Sequence, residues 1–215
     1  MPVLLKSKTE KGGEVDRVYR LMRDAILQCE LRPAEFLVEV HLARRCKTSR
    51  TPVREACNRL CQEGWISRIR YKGYLVAPIS VRGIVELYEY RKLLECFTVA
   101  KAAEAATDEQ IEAIAASIEI EGRPRPDPNE LVQANERFHL AVAASARNQR
   151  VLDQLRFTLE HVRRLDILSA QKDPGWVPHA EVVKALEERN PAQARKAMAI
   201  HIDSSRDRML KLFGG

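Results

Sequence analysis

No apolar run in this 215-residue sequence approaches the length of a membrane span, which takes about 20 consecutive apolar residues. The opening MPVLLKSK has three apolar residues in a row, Val3–Leu5, too few for a signal-peptide core. No membrane association is expected, and a cytoplasmic protein is. Cysteine is sparse and odd in number, five in all, with no C-x-x-C pair. A disulfide framework does not fit that pattern, whereas a reducing compartment does. Acidic residues are short in the first third. Residues 1–78 hold 9 Asp and Glu against 16 Lys and Arg, while residues 79–215 hold 21 against 20. A basic head on a near-neutral body is the composition of a nucleic-acid module joined to something else. With 45% hydrophobic and 31% charged residues, a packed core is expected and disorder is not.

The most informative stretch is Lys47–Gly64, KTSRTPVREACNRLCQEG. Val53, Cys57, Leu60 and Cys61 recur at helical spacing and form an apolar stripe. The two cysteines, one turn apart on that stripe, read as core. Thr51, Arg54, Glu55 and Asn58 fall on the opposite side, and Arg50 fans outward from the first turn. Ser49 or Thr51 can cap the helix, and Pro52 is tolerated in its first turn. Free backbone N–H groups beside two guanidinium groups suit phosphates and guanine edges.

The first 13 residues read as a loose tail. Helices are predicted over Glu14–Glu30, on the spacing of Val18, Leu21, Met22, Ala25 and Ile26, and over Val38–Cys46. Ile66–Tyr71 and Tyr74–Ala77 read as strands around a two-residue loop, Lys72-Gly73. Arg68, Arg70 and Lys72 make this hairpin basic. A small domain of three helices and a hairpin thus ends near Pro78. Beyond it strand signals vanish and six helices are predicted. They run over Ser80–Ala106, Thr107 to about Ile120, Asn129–Ala146, Asn148–Leu168, His179–Arg189, and from the Asn190-Pro191 start to about Leu212. A breaker-rich GRPRPDP loop over Gly122–Pro128 and a loop over Ser169–Pro178 separate some of them. The fold class is mainly α: a winged helix-turn-helix over 14–78, then an all-α antiparallel bundle over 79–215.

The stretch Leu42–Val76, LARRCKTSRTPVREACNRLCQEGWISRIRYKGYLV, resembles the winged helix-turn-helix of GntR-type bacterial transcription regulators. The SRTPVREA core, the exit from Leu60 to Glu63-Gly64 and the glycine in the wing carry the match. The helical half resembles the effector-binding FCD domain of the FadR branch. Here the matching residues are Leu87-Tyr88-Glu89-Tyr90-Arg91 through Leu94-Glu95, Phe138-His139 with Asn148, His179, and Met198-x-x-His201. Six helices rather than seven place it nearer the VanR-like subgroup. Together the resemblances span roughly residues 15–212.

His139, His179 and His201 lie on three helices of one bundle. They can surround a single point, as in a metal site, or be separate hydrogen-bonded core residues. Asn135 shares the face of His139. Metal-binding members of the resembled domain carry one Asp and three His. The His map onto His139, His179 and His201, and the Asp position is Asn135, a neutral and weaker ligand for zinc or nickel. An ion held by four neutral ligands keeps its double positive charge. With Arg91 facing the cavity, an anionic effector such as a carboxylate is then expected. Arg91 can instead pair only with Glu95 one turn on. His41 and His161 read as ordinary surface or edge residues.

The resemblance implies a homodimeric, ligand-responsive regulator, commonly a repressor, on palindromic double-stranded DNA. Arg50 and Arg54 would reach base edges, Ser49 and Thr51 phosphates, and Lys72, Gly73 and Tyr74 the minor groove. Arg91 would contact the effector. Two other readings stand beside it: a regulator answering to metal alone, and a metal-dependent enzyme. The enzyme lacks a clear general base, because Asn135 replaces the nearest carboxylate.

Overall fold

The computed structural model describes residues 13–173 and 175–214. The expected tail lies outside them except for Gly13, which precedes the first helix. The chain separates into two compact units between Ile79 and Ser80.

The first unit runs α1 (Glu14–Leu27), β1 (Phe36–Leu37), α2 (Glu39–Arg45), α3 (Arg50–Gln62), β2 (Ile66–Ile69) and β3 (Gly73–Val76). α1 packs on α3 through Val18, Leu21, Met22 and Ile26 against Val53, Cys57 and Leu60, with Trp65, Tyr74 and Val76 completing the core. Each such side chain contributes about 1.5–3 kcal/mol by leaving water. α1 stops three residues short of the predicted Glu30 because the backbone turns at Cys29, φ 57. α3 ends where its sequence signalled. Gly64 adopts φ 78, and the Trp65 N–H donates to the Leu60 carbonyl at 2.9 Å, a glycine-closed helix end.

The hairpin is antiparallel, and β3 is the centre of a three-stranded sheet ordered β1-β3-β2. Two expectations need correction. The loop has three residues, Arg70-Tyr71-Lys72, because Ile69 pairs with Gly73 and Tyr71 takes the left-handed bend at φ 61. The two-residue strand β1 went unpredicted. Phe36-Leu37 is too short for any period, and it is ordered by pairing with Leu75 and Tyr74.

The second unit comprises α4 (Val81–Ala105), α5 (Asp108–Ala116), a 3-10 turn (Glu119–Gly122), α6 (Pro128–Ser145), α7 (Gln149–Ala170), α8 (Ala180–Glu187) and α9 (Pro191–Phe213). The starts were legible because side chains cap them. Ser80 accepts from Gly83 N, Asp127 from Asn129 N and Glu130 N, Asn148 from Val151 N, and Asn190 from Gln193 N. Thr107 and Gln110 form a reciprocal capping box. α5 ends at Ala116 rather than Ile120. There the Ser117 hydroxyl donates to the Ile114 carbonyl at 2.6 Å and the chain tightens into the 3-10 turn. α4 packs along α9, α6 and α7. Among the described residues no helix is long and apolar enough to cross a membrane, and none of the five cysteines is in a disulfide.

Gly73 has φ 115, and a Cβ there would run into the Leu37 carbonyl oxygen. Gly73→Ala should therefore lower the stability of the first unit by about 1–3 kcal/mol. An unchanged urea midpoint would contradict that geometry.

Candidate nucleic-acid interface and metal centre

Ser49, Arg50, Thr51 and Arg54 are all exposed at the start of α3. Ser49 takes the N-cap position, but its hydroxyl makes no capping bond. The first N–H groups therefore stay open to an acceptor. The two arginines are not loose. Arg50 Nη2 donates to Glu39 Oε2 at 3.1 Å, and Arg54 donates from Nε to Oε1 at 3.1 Å and from Nη2 to Oε2 at 2.9 Å. The Tyr74 hydroxyl adds a bond at 3.3 Å. Arg54 above all, then Arg50 and Tyr74, hold the Glu39 carboxyl down at about 2, against burial, which raises it.

Glu39 is the first residue of α2, and no local pattern marks its role. It is 11 residues from one partner and 15 from the other. Arg68, Lys72 and Tyr71 line the same groove. Tyr74 does not reach outward as expected. It is 1% exposed and offers only its hydroxyl, to Glu39. The exposed aromatic of the wing is Tyr71, 91% exposed, with the Arg70 guanidinium 4.8 Å from its ring centre. Gly73 lies in strand β3, against Leu37.

In the second unit α6 supplies His139, the residue before α8 supplies His179, and α9 supplies His201. One ligand nitrogen from each lies within 4.8 Å of the others, and all three rings are buried. Their Nδ1 atoms face outward from this point, each toward an acceptor. His179 Nδ1 meets Glu121 Oε1 at 2.5 Å, and His201 Nδ1 meets the Pro178 carbonyl at 3.3 Å. His139 Nδ1 lies against Glu95 Oε2 as a close ion-pair contact, although the two are not aligned as a hydrogen bond. For His179 and His201 these acceptors favour the proton on Nδ1, which leaves Nε2 as the ligand end.

His139 Nε2 and His179 Nε2 are 3.1 Å apart, close to the roughly 3.3 Å between two nitrogens on one tetrahedral zinc. His201 Nε2 is buried with no hydrogen-bond partner. The donor set therefore fits a divalent cation. Burial, the Arg91 charge and His179 hold His139 well below its ordinary range. Burial and the neighbouring His179 and His139 do the same to His201. Neutral rings are what a metal requires.

Arg91, 1% exposed, pairs with Glu95 and also brings Nη2 to 2.5 Å from His139 Nε2. Arginine has no acceptor, so this contact independently marks that Nε2 as a lone pair. Asn135 donates from Nδ2 to Asp166 Oδ2 at 2.9 Å. Burial pushes the Asp166 carboxyl up to about 6, although Arg91 and Arg208 pull the other way. A cavity of about 20 Å³ is lined by Tyr88, Arg91, Asn135, Asp166, His201 and Arg208, among others, and the Tyr88 hydroxyl has no partner.

The ring of side chains nearest the site is neutral, but Glu95, Glu121 and Asp166 stand behind it. Of these only Glu95 had been noticed, as a partner for Arg91. Asp166 carried a legible signal, a carboxylate inside the apolar run LDIL. Glu121 sits in the 3-10 turn and carried none. Besides His179, it accepts the Trp176 indole N–H at 2.8 Å. His161 is half-buried against Phe157 and His41 is exposed.

Residues 14–76 match the family model described as bacterial regulatory proteins, gntR family, and residues 86–204 match the FCD domain. The Nta operon transcriptional regulator of Aminobacter aminovorans is 28% identical over 186 residues, spanning 86% of this chain and 89% of that protein. The HTH-type transcriptional repressor RspR of Escherichia coli K12 is 24% identical over 192 residues, spanning 86% and 84%. The solved structure of E. coli McbR/YncC shares the fold with a TM-score of 0.76, at 18% identity, covering 94% of this chain and 100% of that one. The matched domains and these relatives are those of transcriptional regulators rather than enzymes.

Glu39 yields a pH prediction. Its folded value, about 2, lies below the ordinary 4.5. Its contribution is therefore complete above pH 4.5 and is lost as pH falls through about 2. Because its arginine partners are half exposed, the contribution is about 1 kcal/mol or less. Glu39→Gln should lower the unfolding free energy by that amount near neutrality. The gap from the unaltered protein should close in acid, and a gap that persists below pH 2 would refute the assignment.

Proposed function

Because the chain belongs to the GntR family of bacterial regulatory proteins, with an FCD domain behind its winged helix, we propose that this DNA-binding regulator is a repressor controlled by a divalent cation and a small anionic effector. The observation that carries the effector half is the convergence of three buried histidine nitrogens, with the opposite nitrogens of His179 and His201 hydrogen-bonded and that of His139 against Glu95. Zinc or nickel suits three imidazoles and an amide oxygen. The ion would supply positive charge at the centre of the bundle. His139, His179, His201 and Asn135 would hold it, with Glu95 and Glu121 fixing two of the rings. The repressor relative supports the direction of control.

On DNA, Arg50 and Arg54 exchange Glu39 for base edges, with each guanine pairing giving about 1–3 kcal/mol of discrimination. Ser49, Thr51 and the open N–H groups of α3 meet phosphates. Lys72 and Tyr71 occupy the wing tip, and the tight bend before Gly73 sets their aim. Homodimerisation is supported by an outward stripe on α4, where Tyr90, Leu93 and Phe97 are 43%, 74% and 39% exposed. An apolar stripe of this kind marks an interaction surface.

The cavity has room for about one water molecule. An organic effector therefore enters only an opened arrangement of α4, α6, α7 and α9, and it acts by favouring that arrangement. Arg91, Arg208 and the unpartnered Tyr88 hydroxyl favour a carboxylate. The cavity's size favours a second reading, in which metal alone is the signal. In that case added zinc or nickel changes DNA affinity with no organic acid present.

Three measurements test the proposal. Chelator-stripped protein titrated with zinc or nickel in a calorimeter should bind one ion per chain, and His201→Ala should abolish most of the heat. Arg50→Ala should weaken binding to DNA from beside the coding region by about 5- to 150-fold at fixed salt while the dimer persists. Leu93→Asp should shift the protein toward monomer in sedimentation. Absence of ion binding, an unchanged footprint or an undisturbed dimer would each remove the corresponding part.

A further inference from the structure

We infer that Asp166 positions the fourth ligand of the histidine centre. It turns Asn135 so that the amide oxygen, not the amide nitrogen, is the end left for a cation, and it returns from α7 the negative charge that position 135 lacks. The inference rests on the reading of the three histidines as a cation site. Asn135 and His139 are four residues apart on α6 and share a face. Asn135 is 6% exposed and Asp166 5% exposed, and Asn135 Nδ2 donates to Asp166 Oδ2 at 2.9 Å.

An amide facing a carboxylate must offer its NH2 group, so Oδ1 is the end that remains. Oδ1 has lone pairs for a cation, whereas the NH2 group has none. Without Asp166 neither orientation is selected by a charged partner. The same arrangement recurs around the centre. Glu95 stands behind His139 and Glu121 behind His179. Carboxylates in that place orient metal ligands and raise their basicity.

The pair also accounts for the residue at 135. An Asp there would put two carboxylates at hydrogen-bond distance in a core with almost no water, and one of them could not ionise. An acid at 135 and an acid at 166 are therefore alternatives. The first carries its charge on the ligand itself, the second one hydrogen bond behind it.

A four-protein comparison on the full-length chain tests this: the unaltered protein, Asp166→Asn, Asn135→Asp, and the double exchange Asn135→Asp/Asp166→Asn. Each is stripped of metal, titrated calorimetrically with zinc, and loaded with cobalt(II) for visible absorption. Asp166→Asn should bind zinc about 10- to 100-fold more weakly and give an altered cobalt spectrum. The double exchange should restore affinity to at least the original level, because carboxylate and amide have traded places. Asn135→Asp alone should fall short of the double. Thermal unfolding of the metal-free proteins separates a ligand effect from misfolding. If Asp166→Asn fails to fold, the contrast between Asn135→Asp and the double still decides the matter. Unchanged affinity and spectrum in Asp166→Asn, or a double exchange no better than its two singles combined, would overturn the inference. If the unaltered protein takes up neither zinc nor cobalt, the cation reading itself falls and takes this inference with it.

Discussion

Three imidazole lone pairs pointed at one another in a dry core repel, and the packing of the helical unit around them has to be accounted for. The rings cannot relieve the conflict by turning over. Glu121 and the Pro178 carbonyl hold the outward nitrogens of two of them, and Glu95 lies against the third. Protonation would relieve it, but burial opposes charge on His139 and His201. Within the protein, the Arg91 guanidinium sits against His139 Nε2, and His179 Nε2 stands 3.1 Å from the same atom. A buried cluster of this kind is costly to leave without partners, which is why it reads as the cation site proposed above.

The charges around that cluster are arranged in layers. Neutral donors lie innermost with the Arg91 guanidinium against one of them, and carboxylates stand behind. Arg91 and Glu95 are both about 1% exposed. Such a pair is costly to bury and is weak evidence for stability as such. Its place beside His139 gives it another use. Glu95 holds an arginine and a histidine at once, so a change at the histidine is felt by the arginine. That is how events at an ion site could reach the neighbouring cavity without a long chain of intermediates.

The sequence made the helical framework legible because its signals are local. Caps at Ser80, Thr107, Asp127, Asn148 and Asn190 each act within three residues of themselves. The apolar stripes of α1 and α3 likewise sort inside from outside without outside help. What escaped was tertiary. β1 exists only because β3 offers it an edge. Tyr74 alternates correctly for a strand, but which face of that strand is buried is decided by α3 and Glu39. His139 and His201 could be named because helical spacing places them inward, and His179 because the resemblance to the FCD domain marks it. The carboxylates behind them could not, because Glu121 reaches His179 across 58 residues and Asp166 reaches Asn135 across 31. Asp166 shows how such groups are found. A carboxylate in an apolar run is costly unless something meets it, so it asks for a partner even when the partner cannot be named.

The two units, taken separately, use one device. In each, a carboxylate holds a cationic side chain that a ligand would later claim: Glu39 for Arg50 and Arg54, Glu95 for Arg91. The settings differ, and so must the consequences. Glu39 binds arginines that are 52–60% exposed, where water and salt screen the pair and releasing it costs about 1 kcal/mol or less. Phosphates and guanine edges can take over those guanidinium groups with little loss, and the pairing meanwhile keeps them aligned and less available to random polyanions. Glu95 acts where almost no water reaches, so releasing Arg91 requires a replacement cation or anion in the same step. The first arrangement suits rapid sampling of many DNA sites. The second suits a signal that must be slow to arise by chance, because neither the arginine nor the histidine can be left unpaired in the core while the other changes partner.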